Sequence, residues 1–146
     1  NTNKVHNVVL DYITPRGTWY NYSWKGDHDK SGGIASNIGV HFFDMLSWVF
    51  GEVESFDVEN GDLYSRGTIK LKNAEVKYNL SIDANDLPWD EWKPYRCITV
   101  DGDELEFSEG FTELHNKSYE QILLGNGYGL SDIEPTIKLI EDIRNG

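Results

Sequence analysis

SGGIASNIGVHFFDMLSWVFG, residues 31–51, is built mainly from Ile, Val, Phe, Met, Leu and Trp, yet it carries Asn37, His41 and Asp44. Read as one helix, it sets Asn37, His41, Asp44 and Trp48 one above another along a single face. The other positions are nearly all apolar, which predicts a buried helix. A buried polar group without a partner costs about 1–3 kcal/mol, so the stripe must face something polar. Three readings stay open. His41 and Asp44 satisfy each other and nearby backbone inside the core; they ligate a metal, although no HxxxH or CxxC companion supports that; or the stripe lines a ligand cleft. In the cleft reading His41 is an acid or base and Asn37 a hydrogen-bonding arm. The setting favours the cleft. Ser31-Gly32-Gly33 lets a ligand approach the N–H groups of a helix start, and Gly39, costly within a helix, suggests close approach by another group.

Outward from this helix the pattern changes. VHNVVLDYI (5–13) reads as a strand with both faces partly covered, ended by Thr14-Pro15-Arg16-Gly17. The aromatic segment TWYNYSWKG follows, then the loop DHDKSGG. After Gly51, a helix stop, period-two alternation predicts strands at 53–59, 66–72 and 75–82, the last two forming a hairpin. RCITV (96–100) and ELEF (104–107) flank Asp101-Gly102-Asp103 as a second hairpin, and ANDLPWDEWKP (84–94) is a loop. Helices return at 117–124 and 131–145, the latter with Ser131 and Glu134 as a capping box and Ile133, Ile137, Ile140 and Ile143 as its apolar stripe. The expected class is α+β, a mostly antiparallel β-sheet with helices packed on one face, in a single domain spanning 1–146. Tyr64, Tyr78, Trp89 and Trp92 add aromatic surface near the open sheet face, which we expect to make a homo-oligomer contact.

At 146 residues, with 38% hydrophobic and 13% aromatic content, the chain can bury a substantial core, and no apolar run reaches membrane-spanning length. The net charge of −12 falls entirely within 51–146, because four cations balance four acids in 1–50. That balance argues against nucleic acid as a partner. The single cysteine, Cys97, reads as a small buried residue of a strand and fits a reducing, cytoplasmic compartment. His6, His28 and His115 read as surface residues.

The stretch 31–51 resembles the substrate-domain signature of the Gfo/Idh/MocA oxidoreductases: Gly-Gly, an acidic or amide residue, Gly-x-His, and an Asp three residues on. The flanking YITPRGTWYNYSWKGDHDKSGG and SYEQILLGNGYGLSDIEPTIKLIEDIR narrow the resemblance to a subgroup of nucleotide-sugar dehydrogenases. The resemblance implies an NAD-dependent enzyme that oxidises C3 of UDP-N-acetylglucosaminuronic acid in lipopolysaccharide O-antigen synthesis. Its relatives begin with a Rossmann domain and a catalytic Lys in Glu-Lys-Pro, neither of which is found here. The chain is therefore expected to be an inactive C-terminal fragment, partnered by its own Rossmann domain, which binds most of the NAD. GNGYG (125–129) precedes a helix without a strand, so it reads as a helix-to-helix turn rather than a dinucleotide loop.

By implication His41 is the base or proton relay, Asn37 holds a sugar hydroxyl, and Asp44 orients His41 or a strand from behind. Arg16, Lys25 and Lys30 are the cations available to a diphosphate and a uronate. Trp24, with Trp19, Tyr20 and Tyr22, either stacks on the ligand or belongs to the core, and Gly33 gives the ligand access to backbone. Asn37 stands where many relatives have Asp and cannot take a proton. The rival readings are an NAD-dependent glycoside hydrolase of the same superfamily and a purely structural oligomerisation module.

Overall fold

The computed structural model describes residues 4–105 and 114–145. Six strands, β1 (His6–Ile13), β2 (Val53–Asn60), β3 (Tyr64–Leu71), β4 (Ala74–Ser81), β5 (Tyr95–Val100) and β6 (Asp103–Glu104), form one sheet in the order β2-β3-β4-β1-β5-β6. Neighbouring strands in the expected hairpins are antiparallel, as is β1 against β5. The central pair is not: β1 runs parallel to β4, with Val8 opposite Val76 and Leu10 opposite Tyr78. A parallel pair needs a long crossover, and the segment between β1 and β4 supplies one, because it holds the helices and the first two strands of the edge. The second half of ELEF lies outside the described residues.

One sheet face is apolar and covered. Val8, Leu10, Ile69, Leu71, Val76, Tyr78, Leu80 and Ile98 pack under Phe43, Leu46, Leu139, Ile140 and Ile143. The last three come from a C-terminal helix, α5 by the numbering used below. Tyr78, expected on the open face, belongs to this core, where its ring meets Phe43 edge-on at 5.2 Å. Its neighbours Lys77 and Asn79 point the other way, as a pleated strand requires.

After Gly32 the stretch 31–51 is one continuous helical run, as expected, but it opens through a π segment. A short helix α1 (Trp19–Tyr22) precedes it, and α2 (His28–Ser31) ends at Gly32, which caps it in the left-handed region, as does Gly33 after it, both at φ 77°. The chain then re-enters a helix through a π segment, Ala35–Gly39, continuous with α3 (Val40–Phe50). Gly51, at φ 93°, stops α3 as expected and donates its N–H to Ser47 O. Gly39 leaves room for the protein itself rather than for a ligand. A Cβ there would lie 2.5 Å from Phe43 Cε2 and 3.2 Å from Leu80 Cδ1.

At the C-terminal end lie α4 (Leu114–Leu123) and α5 (Leu130–Asn145). The expected cap at Ser131 is displaced: α5 starts at Leu130, and Gly129 N–H donates to Asp132 Oδ2 at 2.6 Å. The buried face of α5 is Thr136, Leu139, Ile140 and Ile143, whereas Ile133 and Ile137 are exposed, so the expected stripe is rotated about the helix axis. GNGYG joins α4 to α5 as a helix-to-helix turn, and Tyr128 within it packs edge-on against Trp48 at 5.6 Å.

The open sheet face is partly roofed by the loop 83–94. Ser81 Oγ donates to Asp86 Oδ2 at 2.6 Å, Arg66 lies 3.5 Å from the same carboxylate, and Trp89 packs on Tyr95. Beyond that roof a shallow groove of about 740 Å³ runs over Val9, Asp11, Asp57, Glu59, Arg66 and Lys77. Cys97, expected to be buried, is only half-buried because β5 turns it towards this open side.

Asp101 ties the chain start to the β5–β6 turn. It sits at φ 55° ahead of Gly102 at φ 93°, the backbone a two-residue hairpin demands. Its carboxylate accepts from Lys4 Nζ at 2.6 Å and Asn7 N at 3.0 Å, and lies 2.9 Å from His6 Nδ1. His6 thus has a partner that its sequence context did not suggest. The Lys4 hydrogen bond, then those from Asn7 and His6, hold the Asp101 carboxyl well below the usual carboxylate range. A depressed folded value stabilises the fold above the unfolded value of about 4 and ceases to do so as pH falls through the folded one. Asp101→Asn keeps the turn geometry and is expected to lower the melting temperature at neutral pH. The gap to wild type should close progressively below about pH 4; a gap that stays constant down to strong acid would refute this account.

Candidate active site on the long helix

With Phe43 and Leu46 turned into the core, α3 places His41, Asp44 and Trp48 on its opposite side. These three share one face, as their spacing predicts, and all are exposed. The expectation of a helix buried all round, with its stripe enclosed in a hollow, is therefore corrected. Among the described residues no side chain hydrogen-bonds the His41 ring.

Asp44 does not orient His41 or a strand. Thr136 Oγ1 donates to Asp44 Oδ1 at 2.8 Å, which ties α3 to α5. Thr136 lies 92 residues away along the chain, and no local pattern announces it. Among the described residues there is no group of three or more His, Cys, Asp and Glu side chains arranged to hold a metal.

Asn37 lies in the π segment and is half-buried. A π turn closes i to i+5 bonds and inserts an extra residue into the helix, a distortion common at functional sites. Asn37 Nδ2 donates to Lys25 O at 3.5 Å. Tyr20 is a core residue 5% exposed. Burial raises the Tyr20 phenol above its ordinary range, while the Arg16 guanidinium pulls it back. Arg16 and Tyr20 line the same small recess of about 190 Å³, closed on its far side by Trp92. The structure thus brings Arg16 and Tyr20 to one recess and joins Asn37 to the Lys25 carbonyl. Sequence reasoning left Tyr20 among four aromatics with no signal to single it out.

The turn Trp24–Gly26 is pressed against α1: a Cβ on Gly26 would lie 2.6 Å from Tyr20 O. Lys25 contributes its carbonyl to Asn37, while its ammonium lies 5.8 Å from the centre of the exposed Trp24 ring. Lys30 is paired with Asp27 at 3.0 Å. Trp19, Tyr22 and Trp24 are exposed, so the aromatic cluster divides: Tyr20 enters the core and the other three face outward. Gly33 does not offer an open amide. Its N–H donates to Ser31 Oγ at 3.1 Å, and the His28 ring lies where a Cβ would point, at 3.0 Å.

This chain provides no cradle for a dinucleotide. Such a cradle needs a Gly-rich turn from strand to helix, and GNGYG joins helix to helix. Among the described residues no helix is long and apolar enough to cross a membrane.

A mixed six-stranded sheet with helices on one face thus carries Asn37 and His41 on the helical run formed by the π segment and α3. The model of the oxidoreductase family, C-terminal alpha/beta domain, matches residues 3–83, more than half of the chain, and the chain belongs to this Gfo/Idh/MocA family. It is similar to the WlbA (WbpB) dehydrogenase of Thermus thermophilus, solved in complex with NAD and alpha-ketoglutarate. The identity is 43%, over 96% of this chain and 47% of that one, with a TM-score of 0.86. The same enzyme in complex with NAD and UDP-GlcNAcA aligns at 41% identity over 97% of this chain and 47% of that one, again with a TM-score of 0.86. The WlbA dehydrogenase of Bordetella pertussis shares the fold at 18% identity, over 97% of this chain and 52% of that one, with a TM-score of 0.71. The chain thus spans about half the length of these dehydrogenases.

Proposed function

We propose that this chain is the substrate-binding half of an NAD-dependent sugar dehydrogenase that oxidises C3 of UDP-N-acetylglucosaminuronic acid, in the cytoplasm, on the way to lipopolysaccharide O-antigen. The observation that carries the reading is an exposed His41, without a hydrogen-bond partner among the described residues, one helical turn from Asn37, on a chain more than 40% identical to a dehydrogenase solved with NAD and UDP-GlcNAcA. NAD is the oxidant in this proposal, held mainly by a Rossmann domain that is not among the residues of this chain.

The chain's own residues bind the sugar and handle the proton. Oxidation of a secondary alcohol releases the hydroxyl proton, and a neutral imidazole held within hydrogen-bonding reach accepts it. His41 takes that role from the solvent face of α3, whose opposite face is locked onto the sheet by Phe43. Asn37 hydrogen-bonds a sugar hydroxyl. Arg16 and Lys25 are the cations for the diphosphate and uronate, Trp24 offers a stacking face, and Gly33 keeps the α2–α3 junction tight. Asp44 holds α3 against α5 and so sets the height of His41. A second copy of the chain covers the open sheet face, where Arg66 Nε and Asn79 Oδ1 are buried without partners.

The test is the full-length protein mixed with NAD and UDP-N-acetylglucosaminuronic acid. Stoichiometric growth of the reduced-nicotinamide absorbance is expected, and light scattering of the same sample should give a multiple of the protomer mass. Release of free sugar without net reduction would replace this reading with the glycoside hydrolase.

A further inference from the structure

Residues 116–135 are exposed throughout, although they include most of α4 and the start of α5. A solvated helix has no use for large apolar side chains, yet this run is rich in them. On α4, Tyr119, Ile122 and Leu123 stand at helical spacing on one side, and Leu123 is 87% exposed. On α5, Leu130, Ile133 and Ile137 form a second exposed stripe beside the face that Leu139, Ile140 and Ile143 bury. A helix of 10 residues is marginal in water by itself, because isolated helices need about 12–15 residues even with good helix formers. Among the described residues no side chain from 117 to 123 is buried, so α4 lacks the tertiary cover that a helix this short requires. The turn that follows it is nonetheless firmly built. Gly125 turns the chain at φ 80°, Asn126 N–H donates to Gln121 O at 2.9 Å, and a Cβ on Gly127 would lie 3.1 Å from Ile122 Cγ1. A preformed apolar patch of this kind marks a contact surface.

We propose that the exposed faces of α4 and α5, with the Trp48 and Tyr128 rings, form the dock for the cofactor-carrying domain of the full-length protein. Two observations favour this occupant. Tyr128 meets Trp48 edge-on at 5.6 Å, so the patch continues into the face of α3 that carries His41 and Asp44. In the dehydrogenase reading, on which this inference rests, the nicotinamide has to stand over that face, within reach of the carbon whose hydroxyl His41 deprotonates. The body that holds it therefore comes to rest beside Trp48. The second observation is one of size. This chain covers 47% of the Thermus thermophilus dehydrogenase, which leaves a body of comparable size outside the matched residues of that relative. A second copy has a different place: α5 packs on the covered face of the sheet, and the open face proposed above for that copy is the other one.

The full-length protein tests the dock without any turnover. With Tyr119 replaced by the photo-crosslinker p-benzoylphenylalanine, irradiation should join the chain to itself, giving a product of protomer mass on a denaturing gel whose linked peptide lies outside residues 1–146. A product of twice the protomer mass assigns the patch to a second copy and overturns the proposal. Leu123→Cys supplies an independent measurement, read by peptide mass spectrometry so that the half-buried Cys97 is counted separately. Its thiol should react with a water-soluble maleimide at least about 10-fold more slowly in the folded protein than in urea, and dilution should leave that rate unchanged. A thiol equally reactive folded and unfolded means a bare patch, and a rate that climbs on dilution means a second copy; either result also overturns the proposal. If the protein oxidises no UDP-uronate, the dehydrogenase reading fails, and the crosslink still decides what covers α4.

Discussion

Replacing His41 by Asn in the full-length protein is expected to lower kcat by about 100- to 10,000-fold, the range over which a positioned acid or base contributes. The ring is exposed, and among the described residues nothing hydrogen-bonds it, so its loss removes chemistry and little else. Phe43 and Leu46 on the buried side of α3 are untouched. The melting temperature should therefore stay within about 2 °C of wild type. Asn keeps a hydrogen-bonding group at the same height but accepts no proton near neutral pH. Turnover within about threefold of wild type would remove His41 from the mechanism.

Phe43→Ala is the matching experiment on the buried side of the same helix. Phe43 is 1% exposed, its ring meets Tyr78 edge-on at 5.2 Å, and Gly39 is bare so that this ring can lie against the π segment. Truncation loses the burial of the ring and leaves a cavity between helix and sheet. The expected cost is about 3–5 kcal/mol, or on the order of 10 °C in melting temperature for a domain of this size. Chemical denaturation measures it directly. A loss below about 1 kcal/mol would mean that the helix–sheet seam is held by something other than this contact. The two substitutions lie two residues apart and should separate cleanly, one affecting rate at constant stability and the other stability first.

Much of this was visible along the chain because it is set by local geometry. Period-two alternation over 66–72 and 75–82 places β3 and β4 within two residues of their ends, and the turn between them requires no distant information. Helical spacing alone puts His41, Asp44 and Trp48 on one face, and the family resemblance carried by residues 31–51 agrees with the family match over 3–83. The polarity of that face was misjudged for a physical reason. A helix rich in Phe, Met and Trp looks buried throughout, yet among the described residues Trp48 and Val49 stay exposed on α3. Gly39 was noticed, but its cause was a neighbour within the fold, the Phe43 ring, rather than an incoming ligand.

The sequence by itself determined the longer helices and the hairpins, the α+β class, the family and the imidazole at position 41, because each depends on residues a few positions apart, whereas the short helices α1 and α2 fall where it suggests irregular chain and a loop. Only the tertiary structure decided that β1 lies parallel to β4, that Asp44 is held by Thr136, and that α5 buries Thr136 and Leu139 instead of Ile133 and Ile137. These depend on which surfaces meet when the sheet closes against its helices. Such pairings between distant segments are chosen by the packing of the whole core, and no window of neighbouring residues contains that information.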